Sequence, residues 1–408
     1  MKRIIEFSLV ACAFALWIAG CTNRFNQTGS WLVTSDTTVT PHFYDSDSLR
    51  AKVTTSEVNQ GLANGSGLFD TVLCLGKVPW SEADMLLNFV LPDSIYNATT
   101  IMSAQVILRR TAYVLQANGS NVNAYDVHNL QFEGYAFDTS WNSATFTWDS
   151  VALLQSEGKI ESANIVLTSA SFVNDSDVVI QIDTGLVRRW VKATQDSNFT
   201  NDGFIIKPAN TSGVVSVYSS AYSGTGYEPT IEIYCVINGV SDTVTSTTSA
   251  STYVANTSIS SPSQTFAVQS GTGLHGNIVF DLSRIPNYSV VNFAQLTLYT
   301  NSSDTLYSGQ SSDSLWAYYQ TDPSTHALSL AGAAVSTRDS VVRNKYTFPV
   351  ALIVQQMLSN QGNYGYGFMI TRYDDYNSID SRFIYNENAP DSLKPRLSII
   401  YAPAVRKK

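Results

Sequence analysis

An all-β protein with two tandem β-sandwich, jelly-roll-like domains, each carrying one short helix, is what the 408-residue sequence predicts. Three features carry that expectation. Many short runs alternate apolar and polar residues with period two and are bounded by Gly, Asn, Asp and Ser. Ser, Thr, Val, Asn and Tyr dominate while charged residues make up only 14%, a mixture suited to pleated, half-buried strands. The chain also repeats itself, which fixes architecture before local detail.

The repeat runs through both halves. TVLCLG, LNFVLPDSI and AQVIL around residues 71–108 correspond to TFAVQS, IVFDLSRI and AQLTL around residues 265–298. Phe89 precedes Ala104 as Phe280 precedes Ala294, with one residue of loop length between the copies. Downstream, VIQIDTGLVRRWV and GFIIKP answer to KYTFPVALIVQQML and GFMITR. Each copy holds one helical candidate with apolar residues on one face: Leu186, Val187, Trp190 and Val191 in the first, Leu352, Ile353, Met357 and Leu358 in the second. Each closes on a proline followed by alternating apolar residues, EPTIEIY and KPRLSIIY, as a final strand entered from a turn.

At the start, Lys2 and Arg3 precede an apolar run from Ile4 to Ile18 that Glu6 and Ser8 interrupt. The run falls short of the roughly 20 residues a spanning helix needs, and its basic start and small-residue end have the layout of a secretory signal peptide. Ile18, Ala19, Gly20 and Cys21 resemble the lipobox of bacterial lipoproteins. The resemblance implies a mature chain that begins at a lipidated Cys21, with several acyl chains holding where one binds only marginally. Thr22 stands where aspartate would signal inner-membrane retention, so the resemblance implies outer-membrane placement, facing either the periplasm or the outside. The expected organisation is a signal peptide over 1–20, a polar tether over 21–46, a first sandwich over 47–237, a second over 264–403 and a basic tail over 404–408. Between the sandwiches, the Ser/Thr-rich stretch 238–263 reads as a linker followed by an edge strand.

A net charge of −9 with no clustered basic stripe excludes nucleic acid as a partner class. Once the signal segment takes Cys12 and the lipid takes Cys21, Cys74 and Cys235 remain. They either form one disulfide, worth roughly 5 kcal/mol at most in the chain-entropy model, or stay as two buried thiols acting as small apolar residues.

FDLSRIPNYSVVNFAQLTLY, with the Trp141, Thr145 and Trp148 segment, the helix before Trp190, the Gly-Phe turns at Gly203 and Gly367 and the closing strands, resembles the DNRLRE domain family. In the first copy FVLPDSI has lost the family's aspartate, and the second copy lacks the double-tryptophan segment. The resemblance implies a carbohydrate-binding-module-like sandwich of the kind found on secreted and surface proteins. It implies that Trp141, Trp148 and Trp190 are framework residues.

Reactive chemistry has no signature here. His42, His128, His275 and His326 are scattered, and there is no His-Glu-x-x-His helix, Gly-x-Ser-x-Gly elbow or phosphate loop. Glu82 with Asp84, and Asp175 with Asp177, read as solvated surface. Asp374, Asp375, Asn377 and Asp380 crowd one loop with the oxygen ligands calcium takes, as Asn174, Asp175 and Asp177 do in another, against the simpler reading of polar turns. Aromatics give the strongest binding argument, because a sugar lays its C–H face on a flat ring and takes its hydroxyl partners from Asn, Asp and Gln. Trp316 and Tyr318 share one strand face with Tyr319 on the other, and Tyr364, Tyr366, Tyr373 and Tyr376 follow beside polar residues. The expected function is non-catalytic binding of an extracellular polymer, a polysaccharide first, by a membrane-anchored lipoprotein. A structural or adhesive envelope protein binding protein partners comes second, and a polysaccharide-degrading enzyme third.

Overall fold

The computed structural model describes residues 42–45, 52–58 and 71–403, except 116–128, 144, 166, 174–176, 194, 197–198, 288, 302–312, 323–326, 343, 360–366 and 373–376. Within them the protein is all-β and sandwich-like, with antiparallel sheets and three short α-helices. Two strands come first, β1 (His42–Asp45) and β2 (Lys52–Val58). An N-proximal sandwich follows, built from β3 (Val72–Val78), β4 (Ser81–Phe89), β5 (Ala98–Leu115), β6 (Phe132–Phe137), β7 (Ile160–Ile165), β8 (Leu167–Val173), β9 (Asp177–Ile182), β10 (Phe204–Pro208), β11 (Gly213–Tyr218), β12 (Thr230–Ile237) and β13 (Val240–Thr257). The C-proximal sandwich uses β14 (Thr265–Gln269), β15 (Leu274–Val279), β16 (Val290–Tyr299), β17 (Ser314–Asp322), β18 (Ala327–Thr337), β19 (Lys345–Pro349), β20 (Phe368–Arg372), β21 (Ser381–Tyr385) and β22 (Arg396–Ala402). The helices are α1 (Trp148–Ser156), α2 (Thr184–Ala193) and α3 (Ala351–Ser359).

Two 18-residue strands, β5 and β13, organise the N-proximal sandwich. The first part of β5 pairs with β12 and β9 and its last part with β11. Likewise β13 pairs with β12 up to Thr247 and with β4 from Thr248, with a register shift between Thr248 and Ala250. A ladder therefore closes through β13, β12, β5, β11, β3, β4 and back to β13, leaving none of these six strands as an edge along its whole length. Inside the ring lies the main core, with Leu73, Met85, Val106, Ile180, Trp190, Phe204 and Ile233 among its members.

The stretch 238–263, expected as a linker, is thus a strand of the first sandwich over most of its length. Its alternating Thr and Val residues fit a pleated surface, and Val244, Tyr253, Val254 and Ala255 are buried. A second difference concerns β2, expected within the first domain. It pairs with β15 of the C-proximal sandwich, Val53 opposite Ile278 and Val58 opposite Leu274. β14 meets β15 at a single residue pair, Gln269 with Leu274. β15 is buried on both faces, so its other backbone edge needs a partner, and β2 supplies it.

In the C-proximal sandwich the sheet β22–β16–β19, with β1 at its edge, faces the sheet β18–β17–β20–β15–β14–β21. Leu296, Phe348 and Ile399 from one sheet meet Leu315, Ile278 and Phe368 from the other. α3 closes this core with Ile353, Val354, Met357 and Leu358, as α2 closes the first with Leu186, Val187 and Trp190.

The sequence repeat returns as a repeat of register. Ala104 faces Ile233 across β5 and β12, and Ala294 faces Ile399 across β16 and β22. Phe89 lies 6.4 Å from Phe204, and its counterpart Phe280 lies 6.0 Å from Phe368. The first copy departs from the expectation of one helix by adding α1. Its N terminus is capped where Ser150 Oγ accepts from the Thr147 N–H. α1 helps cover the outer face of β4 and β10 with a smaller cluster of Leu86, Phe137, Phe146, Val151, Ile160, Ile205 and Val254, against which Trp141 and Trp148 pack.

Gly203 and Gly367 occupy equivalent turns with φ of 77° and 64°, and a Cβ on either would lie 2.2 Å from a carbonyl oxygen, that of Leu87 or that of Ile278. Both left-handed backbone and backbone contact forbid a side chain there. Gly203→Ala and Gly367→Ala should each lower unfolding free energy by about 2 kcal/mol or more in urea titration. A loss below ~0.5 kcal/mol would show that these turns do not set the register.

Candidate functional site

An open pocket of about 420 Å³ in the N-proximal sandwich is lined by Arg109, Arg110, Asp177, Thr225, Gly226 and Tyr227. Strand register brings these residues together. Arg109 faces Asp177 across β5 and β9, and Arg110 faces Val217 across β5 and β11. Arg109 forms an ion pair with Asp177 Oδ2. The other oxygen, Asp177 Oδ1, is buried without a hydrogen-bond partner, an acceptor left open.

The opposite wall is the loop that joins β11 to β12. Gly224 and Gly226 adopt φ of 81° and 80° there. Glu228, 4% exposed, accepts from the N–H groups of Gly224 at 3.0 Å and Gly226 at 2.9 Å. Burial alone would push this carboxyl up. Backbone donors from Glu228 itself, Gly224, Gly226 and Tyr227 outweigh it and hold the group below the ordinary glutamate range. The loop so fixed presents Tyr227, 52% exposed, whose ring lies 5.0 Å from that of Tyr218, itself 4.7 Å from that of Tyr222.

Beyond the pocket, the outer face of β9, β5 and β12 carries a polar row. Gln181 donates to Gln105 Oε1 at 2.9 Å, and Gln105 donates to Glu232 Oε2 at 2.8 Å. Tyr234 also donates to Glu232, at 3.1 Å, and its hydroxyl pKa is raised chiefly by that hydrogen bond. Guanidinium groups, an open carboxylate oxygen, a hydroxyl and a flat exposed ring are together what a sugar carrying a carboxylate needs for orientation.

Trp316 and Tyr318 do share one face of β17, half-buried and stacked with centroids 5.5 Å apart at 25°, while Tyr319 lies in the core on the other face. Tyr364, Tyr366, Tyr373 and Tyr376 lie outside the described residues, as do Cys21, Asp374, Asp375, Asn174 and Asp175. Of the proposed calcium loop, Asn377 is exposed and accepts from Thr71 Oγ1 at 3.0 Å, while Asp380 is 0% exposed. Ile379 between them packs into the N-proximal core and its carbonyl accepts from Gln269, so the described part of this segment joins the sandwiches. Among the described residues no cluster of three or more His, Cys, Asp or Glu could hold a metal. Cys74 and Cys235 are both buried thiols and no disulfide joins them, and burial pushes the Cys235 thiol up. Trp190 is 1% exposed, and Trp141 donates to the Asp202 carbonyl at 2.8 Å.

Sequence reading missed the pocket, although SAYSGTGYEP, with two glycines before a tyrosine and a glutamate, carries its loop. It also placed Asp84 in solvent. β4 sends Ala83, Met85 and Leu87 into the main core and Asp84 with Leu86 to the face beside α1's cluster, where Asp84 is 0% exposed and 3.6 Å from Lys207 Nζ. A carboxyl without exposed surface meets no polymer. Neither the family models nor the curated proteins contain a match to this chain.

Burial pushes the Asp84 pKa from 3.8 to about 7, with Lys207 opposing and Glu82 adding to the rise. The folded state therefore holds this proton more tightly than the unfolded chain. The associated stability is full below pH ~4 and is lost as pH climbs towards ~7. Asp84→Asn should raise Tm at pH ~8, and the difference should shrink steadily towards pH ~4. A pH-independent difference would remove Asp84 from the titration.

Proposed function

We propose that the protein is a non-catalytic surface lipoprotein whose sandwiches hold an extracellular polysaccharide, and that the N-proximal pocket takes an acidic sugar unit. The observation that carries this reading is the union, in one pocket, of Arg109, Arg110, the open Asp177 Oδ1 and the exposed Tyr227 ring. Arginine forks match a carboxylate in two parallel hydrogen bonds, and the tyrosine ring receives the apolar sugar face. Glycoside cleavage needs two carboxylates across the scissile bond. The carboxylate of this pocket, Asp177, is held by Arg109, which supports binding without hydrolysis. The resemblance to the DNRLRE family supports the same reading.

Anchorage through a lipidated Cys21 at the outer membrane belongs to this proposal. Among the described residues no helix is long and apolar enough to cross a membrane. Adhesion to a protein partner is a second reading, favoured by the exposed start of β13, where Val240 is 67% exposed.

Calorimetric titration with galacturonan oligomers and their methyl esters tests the pocket. The charged oligomer should bind more tightly, Tyr227→Ala should weaken it about tenfold, and Arg110→Gln should abolish the preference for the free acid. Equal binding of acid and ester by the unaltered protein, or no binding of either, would defeat the reading. Cys21→Ser should move the protein from the membrane to the soluble fraction, with loss of the acyl mass on the N-terminal peptide.

A further inference from the structure

The outer face of the N-proximal sandwich continues past the pocket along β5. Core residues Ala104, Val106 and Leu108 alternate there with half-buried Gln105 and Ile107 and exposed Arg109. Ile107 stands opposite Val179 on β9 and Thr230 on β12, and Gln105 stands opposite Gln181 and Glu232. Each of these flanking side chains also meets solvent, while its strand neighbours Ile180 and Ile231 are buried. From the guanidinium end, the face therefore runs over an apolar step at Ile107 and Val179 to the row of amides. Four residues of strand and one strand spacing put the Glu232 backbone about 14 Å from that of Arg109. That is the span of a few linked sugar units and not of one.

The row has a chemical direction. Gln105 Nε2 donates both to Glu232 Oε2 at 2.8 Å and to the Tyr234 hydroxyl at 3.4 Å, and Tyr234 donates to Glu232 Oε2. Gln105 Oε1 accepts from Gln181. The donors of Gln105 and Tyr234 are thus engaged within the row. What it turns outward is acceptors, Gln181 Oε1 and Glu232 Oε1, which have no hydrogen-bond partner among the described residues. No lysine or arginine among those residues pairs with Glu232, whereas Arg109 holds Asp177 at the pocket end. Hydroxyl groups donate to such acceptors. A carboxylate cannot, and beside Glu232 it meets a like charge with nothing to offset it.

We propose that the acidic-sugar pocket is one end of an extended site whose other end, formed by Gln105, Gln181 and Glu232, is selective for an uncharged, hydroxyl-rich sugar unit. The ligand is then a polysaccharide in which neutral units separate the uronates, and not an unbroken run of uronates. This deepens the acidic-sugar reading of the pocket and rests on it. Specificity comes from rejection as well as attraction, since the arginines draw a carboxylate to one end and Glu232 excludes it from the other.

Titration of the full-length mature chain with galacturonan oligomers of increasing length tests it. Affinity should rise little from the dimer to the hexamer, because the added carboxylates reach Glu232. A rhamnogalacturonan hexamer, in which neutral rhamnose alternates with galacturonate, should bind about tenfold more tightly than the galacturonan hexamer. Glu232→Gln keeps an acceptor for Gln105 and Tyr234 at a half-buried surface position, so the fold is kept. It should tighten the galacturonan hexamer several-fold and leave the dimer unchanged. Gln105→Ala should weaken the rhamnogalacturonan hexamer about fivefold, again without moving the dimer. Galacturonan affinity that climbs with length in the unaltered chain, or that ignores length in Glu232→Gln as well, would overturn the extended site and leave the pocket standing. Equal binding of the two hexamers would do the same. Failure of every oligomer, the dimer included, would overturn the pocket and the extended site together.

Discussion

The backbone hydrogen bonds of two very long strands are the constraint on which the N-proximal half depends. A strand of 18 residues offers more donors and acceptors than one neighbour of ordinary length can meet. β5 and β13 meet theirs by passing from one set of partners to another, with register shifts where they change. The closed ladder that results fixes where Arg109 and Arg110 stand, because both lie where β5 leaves β9 for β11. The pocket is thus a by-product of sheet closure, placed just beyond the core residues Val106 and Leu108 of β5.

The second half is held differently. Its two sheets form separate ladders that touch at the backbone bridge of Thr300 with Ile384 and are otherwise joined by the side chains of the core and by α3. One end is pinned by charge. Arg382 donates to Asp313 at 2.9 Å, Tyr346 does so at 2.8 Å, and Arg338 pairs with the same carboxylate. Burial would raise the Asp313 pKa, but these partners keep it below the ordinary range, while burial and Asp313 push Tyr346 up to about 12. Such a cluster adds little net stability over apolar packing but penalises any arrangement that separates its members. Between the halves, Ile379 enters the first core and Gly271, with φ of 70°, stands where a Cβ would lie 2.5 Å from the Tyr253 hydroxyl. The seam is therefore tight enough that a glycine is required in it.

Much of this was legible in the sequence, for identifiable reasons. Period-two runs and the repeated Gly-Phe and Pro-entry signals are local, and they located the paired registers of Ala104 and Ala294, and of Gly203 and Gly367. The alternation of Trp316, Tyr318 and Tyr319 is local too. What was not legible depends on distant pairing. A Thr- and Ser-rich stretch has the composition of a linker, and only the partners β12 and β4 make β13 a strand. Asp84 occupies a polar position in an alternating strand, which ordinarily means solvent. The face it occupies is closed by a cluster that α1 and the Trp141 loop bring from far along the chain. The pocket joins β5, β9 and the β11–β12 loop, and no single segment carries its meaning.

The crossing of β2 to the far sandwich has a consequence for synthesis. β2 leaves the ribosome roughly 220 residues before β15, the strand it must pair with. The intervening sandwich pairs strands less far apart in the chain, which favours its folding before β2 finds β15. The nascent chain thus carries an unmatched strand past a finished module. Whatever keeps that strand from pairing with another chain in the interval is as much a part of maturation as the folding of either core.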